Sequence, residues 1–150
     1  MLIQKALLED AATLTAIAFA SKRHWDYPET WIQSWANALT ISEKDLRNQL
    51  IYKAVYTEKT IGFYALKIEK HEAELTALWV LPEAMECGIG RTLFEHAEST
   101  ARSNGATHLI LMSDPHAGGF YRQMGATVYG QHSAKMDDTP RFLPLMKKTL

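Results

Sequence analysis

A single cysteine, Cys87, stands in the 150-residue chain, so no disulfide can close within it. A lone thiol suits a reducing compartment and gives cytoplasm as the expected location. Long hydrophobic runs are also missing: the longest, around Leu75 to Leu81, is far shorter than the roughly 20 residues a membrane helix needs. The chain starts on LIQKALL, which reads as a strand and not as a charged-then-apolar leader. Neither sign of charge is in excess, with 16 Lys and Arg against 17 Asp and Glu. Nothing therefore draws the molecule generally to nucleic acid or to an anionic membrane. No Pro, Gly or Ser linker, repeat or low-complexity tract divides the sequence, and its six histidines lack metal-ligand spacing. What the chain has is 47% hydrophobic content, enough for a core, in one domain spanning residues 1–150.

Periodicity predicts a short strand at Leu2 to Ala6 and a helix from Asp10 to Lys22 whose Leu14, Ile17, Ala18 and Ser21 share a face. A second helix is expected from Pro28 to Leu39, and a third capped at Ser42 containing Leu46, Gln49 and Leu50. Strands at Ile51 to Thr57 and Thr60 to Glu69 are joined by a Glu58-Lys59 turn. A strand through Trp79, a helix from Arg91 to Asn104 with Gly105 beyond its end, and a strand from Thr107 to Met112 make a crossover with parallel strands. A helix from Pro115 to Met124 and strands at Thr127 to Ala134 and Arg141 to Lys147 complete an α/β (α+β) fold. Its sheet is mixed, mostly antiparallel, of about seven strands, with helices on both faces.

The stretch AELTALWVLPEAMECGIGRTL, Ala73 to Leu93, joins an apolar strand, a glycine loop and an amphipathic helix. Pro82 stops the strand, and Gly88 and Gly90 allow close approach of a ligand and positive φ. The helix that follows starts with N–H groups that have no intrahelical partner, a natural site for phosphate. Gly90 is followed by Arg91 and Thr92, which excludes a P-loop, and Leu93 stands where a dinucleotide fingerprint needs a third glycine.

After a second apolar strand comes FYRQMGA, Phe120 to Ala126, and the combination resembles the GNAT superfamily of acyl-CoA-dependent N-acetyltransferases. The family's R/Q-x-x-G-x-G/A is matched by Met85, Glu86, Cys87, Gly88, Ile89 and Gly90. Its later Asn, Ala, aliphatic or aromatic residue, Tyr and Gly are matched by Asp114, Ala117, Phe120, Tyr121 and Gly125. The resemblance covers about residues 55 to 130 and implies the acyl-CoA N-acyltransferase fold with acetyl-CoA as acyl donor and no metal. Met85 departs from the family's Arg or Gln, leaving the pyrophosphate to main-chain donors from Glu86 to Thr92 and to Arg91. Asp114 departs from its Asn, and Asp-Pro reads as a cap for the helix at Pro115.

The resemblance also assigns roles. Main-chain N–H groups of Leu78, Trp79 and Val80 would polarise the thioester and pair with the pantetheine arm. Tyr121 would protonate the departing thiolate, and Glu74, at the head of the central strand, would take the amine's proton, with a solvated strand-end carboxylate as its other reading. Cys87 reads as a loop spacer, since direct transfer needs no acyl-enzyme. His116 reads as a first-turn residue of its helix and not as a catalyst. SKRHWDYPETWIQSW, with DPHA, FYRQMGA and TPRFLPLM, resembles a bacterial subgroup of the superfamily in which the first helices wall the acceptor site. His24, Trp25 and Tyr27 are therefore the candidate acceptor contacts, while Trp31 and Trp35, at i and i+4, read as core residues facing the sheet. An aromatic wall suits an apolar stem or a cationic amine. The expected activity is acetyl transfer to the primary amine of a small molecule in a ternary complex. A non-catalytic acyl-CoA sensor and a peptide or protein N-acetyltransferase remain the competing readings. A homodimer is compatible with the resemblance.

Overall fold

A computed structural model describes all 150 residues. Seven strands form one sheet: β1 (Leu2–Lys5), β2 (Leu50–Tyr56), β3 (Lys59–Glu69), β4 (Glu72–Val80), β5 (His108–Met112), β6 (Thr127–Met136) and β7 (Thr139–Thr149), in spatial order β1-β2-β3-β4-β5-β7-β6. Every neighbouring pair is antiparallel except β4 with β5. The parallel pair follows from the long excursion of α5 (Ile89–Ser103) between them, since no tight turn can join parallel strands.

Each face of the sheet has its own core. On one side α5 buries Leu93, Phe94, Ala97 and Ala101, at helical spacing, against Tyr64, Leu66, Leu75 and Leu109, joined by Tyr121 and Met124 of the short α6 segment (Gly118–Gln123) and its end. Leu93 and Phe94 are fully buried, each contributing about 1.5–3 kcal/mol of transfer free energy. The helix ends where Gly105 turns to φ +84°, a conformation only glycine adopts without strain. On the other side α1 (Ala11–Arg23) turns Leu14, Ile17, Ala18 and Ser21 inward, as its periodicity predicts. Ile32 and Leu39 complete that core with Leu46, Phe63 and Ala65.

Several boundaries differ from the sequence reading. The expected helix from Pro28 to Leu39 is two pieces, α2 (Glu29–Ser34) and α3 (Ala36–Leu39), broken at Trp35, where φ is −93° and ψ 7°. The break lets Ile32 and Leu39 both face the sheet, with Trp35 packed at the edge of that core. Ser42 does cap α4 (Glu43–Asn48), in a reciprocal box with Asp45, but Gln49 leaves the helix and Leu50 opens β2. The β2–β3 turn lies at Thr57 and Glu58, one residue earlier than expected. Both have positive φ, +49° and +64°, as a two-residue hairpin with the strands' own twist requires.

Candidate active site

The sheet splits at its parallel pair. β4 and β5 are in register only from Glu72 to Glu74 against His108 to Ile110. Beyond that point β5 pairs with β7 while β4 runs on to Val80 with β3 alone, so the β5-facing main chain of Leu78, Trp79 and Val80 has no partner strand. A cleft of about 700 Å³ opens there, between those three residues, the 85–91 loop and α6. An extended chain entering it would meet free strand edge.

Main-chain N–H groups from Glu86 through Arg91 donate to no acceptor in the protein; the first of the helix to do so is Thr92, to the Gly88 carbonyl at 3.1 Å. Glu86 and Gly88 hold positive φ, +66° and +79°, which turns successive N–H groups toward one concavity. Gly90 has a different reason from the one its motif suggests. Its backbone is helical, and a Cβ there would meet the Phe120 ring at 3.3 Å, so the missing side chain lets α6 pack close. A diphosphate fits these donors: they are unpaired and lie at a helix N-terminus. Arg91 and Glu86 line the same cleft.

Across the cleft, Tyr121 packs its ring against Phe94 and Phe120, with centroids 6.0 and 5.1 Å away, and is 8% exposed. Its hydroxyl has no hydrogen bond within the protein, yet no buried side-chain polar atom lacks a partner, so the oxygen fronts the cleft. Burial, with the Asp114 charge adding, pushes the phenol above its ordinary value of 10.0 and keeps it protonated.

The far end of the cleft is built by Ser21, His24, Trp25, Trp79, Asp114 and His116. Trp25 stacks on His116 with ring planes 1° apart and centroids 4.8 Å. Asp114 does not cap a helix, because α6 starts only at Gly118. Its Oδ1 accepts the His116 N–H at 2.8 Å, and the carboxylate also accepts hydrogen bonds from the Tyr27 hydroxyl and the Lys22 ammonium. Burial alone would raise the Asp114 carboxyl, but the hydrogen bond and charge of Lys22 hold it below its usual range. Arg141 of β7 reaches the same group, its Nη2 donating to Tyr27 Oη at 3.0 Å and lying 3.8 Å from Asp114 Oδ2. Tyr27 is pushed up to about 12, by burial first and then by the Asp114 charge.

Of the residues singled out in the sequence, His24, Trp25, Leu78, Trp79, Val80, Glu86, Gly88, Gly90, Arg91, Asp114 and Tyr121 surround this one cleft. Tyr27 stands behind Asp114. Ile89 packs into the core, Cys87 is exposed, and the Thr92 hydroxyl bonds back to the Gly88 carbonyl. Glu74 is exposed at the closed end of the split, opposite Lys67 and Ile110, and does not line the cleft. Trp31 and Trp35 are half-buried and do not simply face the sheet. Trp31 Nε1 donates to Asp137 in the β6–β7 turn, and Trp35 lies under the Lys22 and Arg141 cations. His116 lines the cleft instead of serving only a helix turn. Gly62 escaped the sequence reading, and Lys22 and Arg141, although they lie in the SKRHWDYPETWIQSW and TPRFLPLM segments, were given no role there.

The profile of the acetyltransferase (GNAT) family matches residues 15–126. The chain is 31% identical over 152 aligned positions to spermidine N(1)-acetyltransferase of Thermoplasma acidophilum, covering 91% of this chain and 89% of that protein. It is 32% identical over 89 positions to the peptidyl-lysine N-acetyltransferase YjaB of Escherichia coli, covering 59% of this chain and 55% of that one. Among solved structures, a GCN5-related N-acetyltransferase from Rhodopseudomonas palustris superposes with a TM-score of 0.82 at 26% identity, covering 99% of this chain and 95% of that one. The PaiA N-acetyltransferase of Thermoplasma acidophilum, in complex with coenzyme A, gives 0.76 at 26% identity, covering 99% and 98%. Split sheet, free-amide loop and cleft-facing tyrosine agree with these matches: the chain is an acyltransferase and belongs to the acetyltransferase (GNAT) family.

Proposed function

We propose that this chain transfers the acetyl group of acetyl-CoA directly to the primary amine of a small molecule. The observation that carries the reading is that a loop whose main-chain N–H groups from Glu86 to Arg91 are unpaired, four of its residues lining the cleft, faces an unpaired phenol across it. The 86–91 amides hold the diphosphate. The free edge of Leu78 to Val80 holds the extended arm and directs its N–H groups at the thioester oxygen, where negative charge develops as the amine attacks. Tyr121 gives its proton to the departing thiolate. Glu74, outside the lining, takes the amine's proton through intervening water. The concave far end, walled by Trp25 and His116, has room for a small acceptor.

Thiol release from acetyl-CoA, followed over a panel of amines and lysine peptides, tests the reading. Acetylation of one or more small amines is the expected result. Tight acetyl-CoA binding by calorimetry with no thiol release from any acceptor would overturn it.

A further inference from the structure

Resting on that reading of the cleft, the charges behind Asp114, the one residue of their cluster that lines its far end, say what else the acceptor carries. Lys22 and Arg141 both face the single carboxylate of Asp114, and the three side chains are only 12%, 10% and 11% exposed. Two cations against one anion leave a sheltered surplus of positive charge, an arrangement that calls for a second anion. The surrounding rings cannot supply it. Arg141 lies over Tyr27 and Trp35, 5.0 and 4.9 Å from their centroids, and Lys22 over the same two rings.

Hydrogen bonding sharpens the case. A guanidinium has five N–H donors, and Arg141 uses only Nη2, toward Tyr27. Its Nε and Nη1 have no partner in the protein, although the side chain is nine-tenths buried. Since no fully enclosed polar atom is unpartnered, those donors reach open space. Tyr27 is already saturated, accepting from Arg141 and donating to Asp114. A planar fork resting against two mutually perpendicular aromatic rings, with donors to spare, is a receptor for a carboxylate, which it binds bidentately. It sits beside Asp114, which itself lines the cleft.

We propose that Arg141, assisted by Lys22, binds a carboxylate of the acceptor, so that the amine acetylated here belongs to a free amino acid. A polyamine would bring further cations to two that are already there and is disfavoured at this site.

The experiment compares kcat/KM for each common L-amino acid with that for its carboxamide and its decarboxylated amine, with spermidine alongside. The best amino acid should exceed its carboxamide by about 100-fold or more, since a site built to pair a polar group rejects the analogue that lacks it. Arg141→Met should collapse that ratio toward one, chiefly through KM for the amino acid, with coenzyme A binding by calorimetry confirming that the variant folds. Should it not fold, the ratio measured on the native chain decides alone. Equal rates for amino acid and carboxamide, or a preference for spermidine, overturn the carboxylate receptor while leaving amine acetylation standing. No acetylation of any amine overturns the underlying reading as well.

Discussion

Tyr121 illustrates how one side chain can be core and reagent together. Its ring closes the hydrophobic face of α6 on Phe94, and its oxygen meets the cleft. Tyr121→Phe keeps the packing and removes only the proton, so kcat should fall by about 10²-fold or more with melting temperature nearly unchanged. Steady-state kinetics beside a thermal melt check this, and an unaltered kcat removes the phenol from the chemistry. Asp114 gives a second test, in pH. Its folded pKa lies below its ordinary 3.8, so its stabilisation is complete above that value and is lost as pH falls through the folded one. Asp114→Asn should be less stable by about 1–3 kcal/mol at neutral pH, having lost the partner of a buried cation. Denaturant titrations below pH 4 should find the gap closing; a gap independent of pH would contradict the assignment. Neither cationic partner of Asp114 was given a role from the sequence. Lys22 reads as a helix-end lysine and Arg141 as an ordinary strand residue, and only the fold brings them together across 119 positions.

At the level of elements, the strand-loop-helix from Glu72 to Ser103 was readable because each signal is local: apolar alternation, a stop at Pro82, glycines, then a strong helical stripe. The helix break at Trp35 was not, because Glu29 to Leu39 has no Pro or Gly to mark it. What decides it is tertiary: burying Ile32 and Leu39 together while Trp35 reaches Lys22 and Arg141. Gly62 was equally silent. A Cβ there would stand 2.9 Å from the Trp79 carbonyl oxygen and 3.1 Å from Leu93, so β3 needs glycine to lie flush against the wall of the cleft. Gly62→Ala should therefore displace β4 at Trp79, destabilising the chain by about 1–3 kcal/mol and raising KM for acetyl-CoA several-fold. Melts and kinetics on the purified variant decide; wild-type values for both would show that the strands yield without consequence.

Across the whole molecule, the family resemblance carried the fold because its two motifs lie on either side of the split, one on the loop after β4 and one after β5. The acceptor end was less legible, for it is assembled from α1, the link to α2, the β5–α6 link and β7, and the resemblance of those segments to a subgroup does not say which of their side chains meet. A ligand in the cleft touches both sides of the sheet. Coenzyme A at 100 times its dissociation constant should then stabilise the chain by about 2.7 kcal/mol. Hydrogen exchange should slow most in residues 78–92 and 117–124; protection confined to other segments would place the ligand elsewhere.

The brief pairing of β4 with β5 has a mechanical meaning. Three rungs of ladder, the knot of charge at Asp114 and the core beneath α5 tie two leaves of sheet along a seam. Past those rungs the strands themselves share no ladder and the leaves meet through the α5 core alone, so a guest lodged in the gap supplies the cross-ties that the strands lack and acts as mortar.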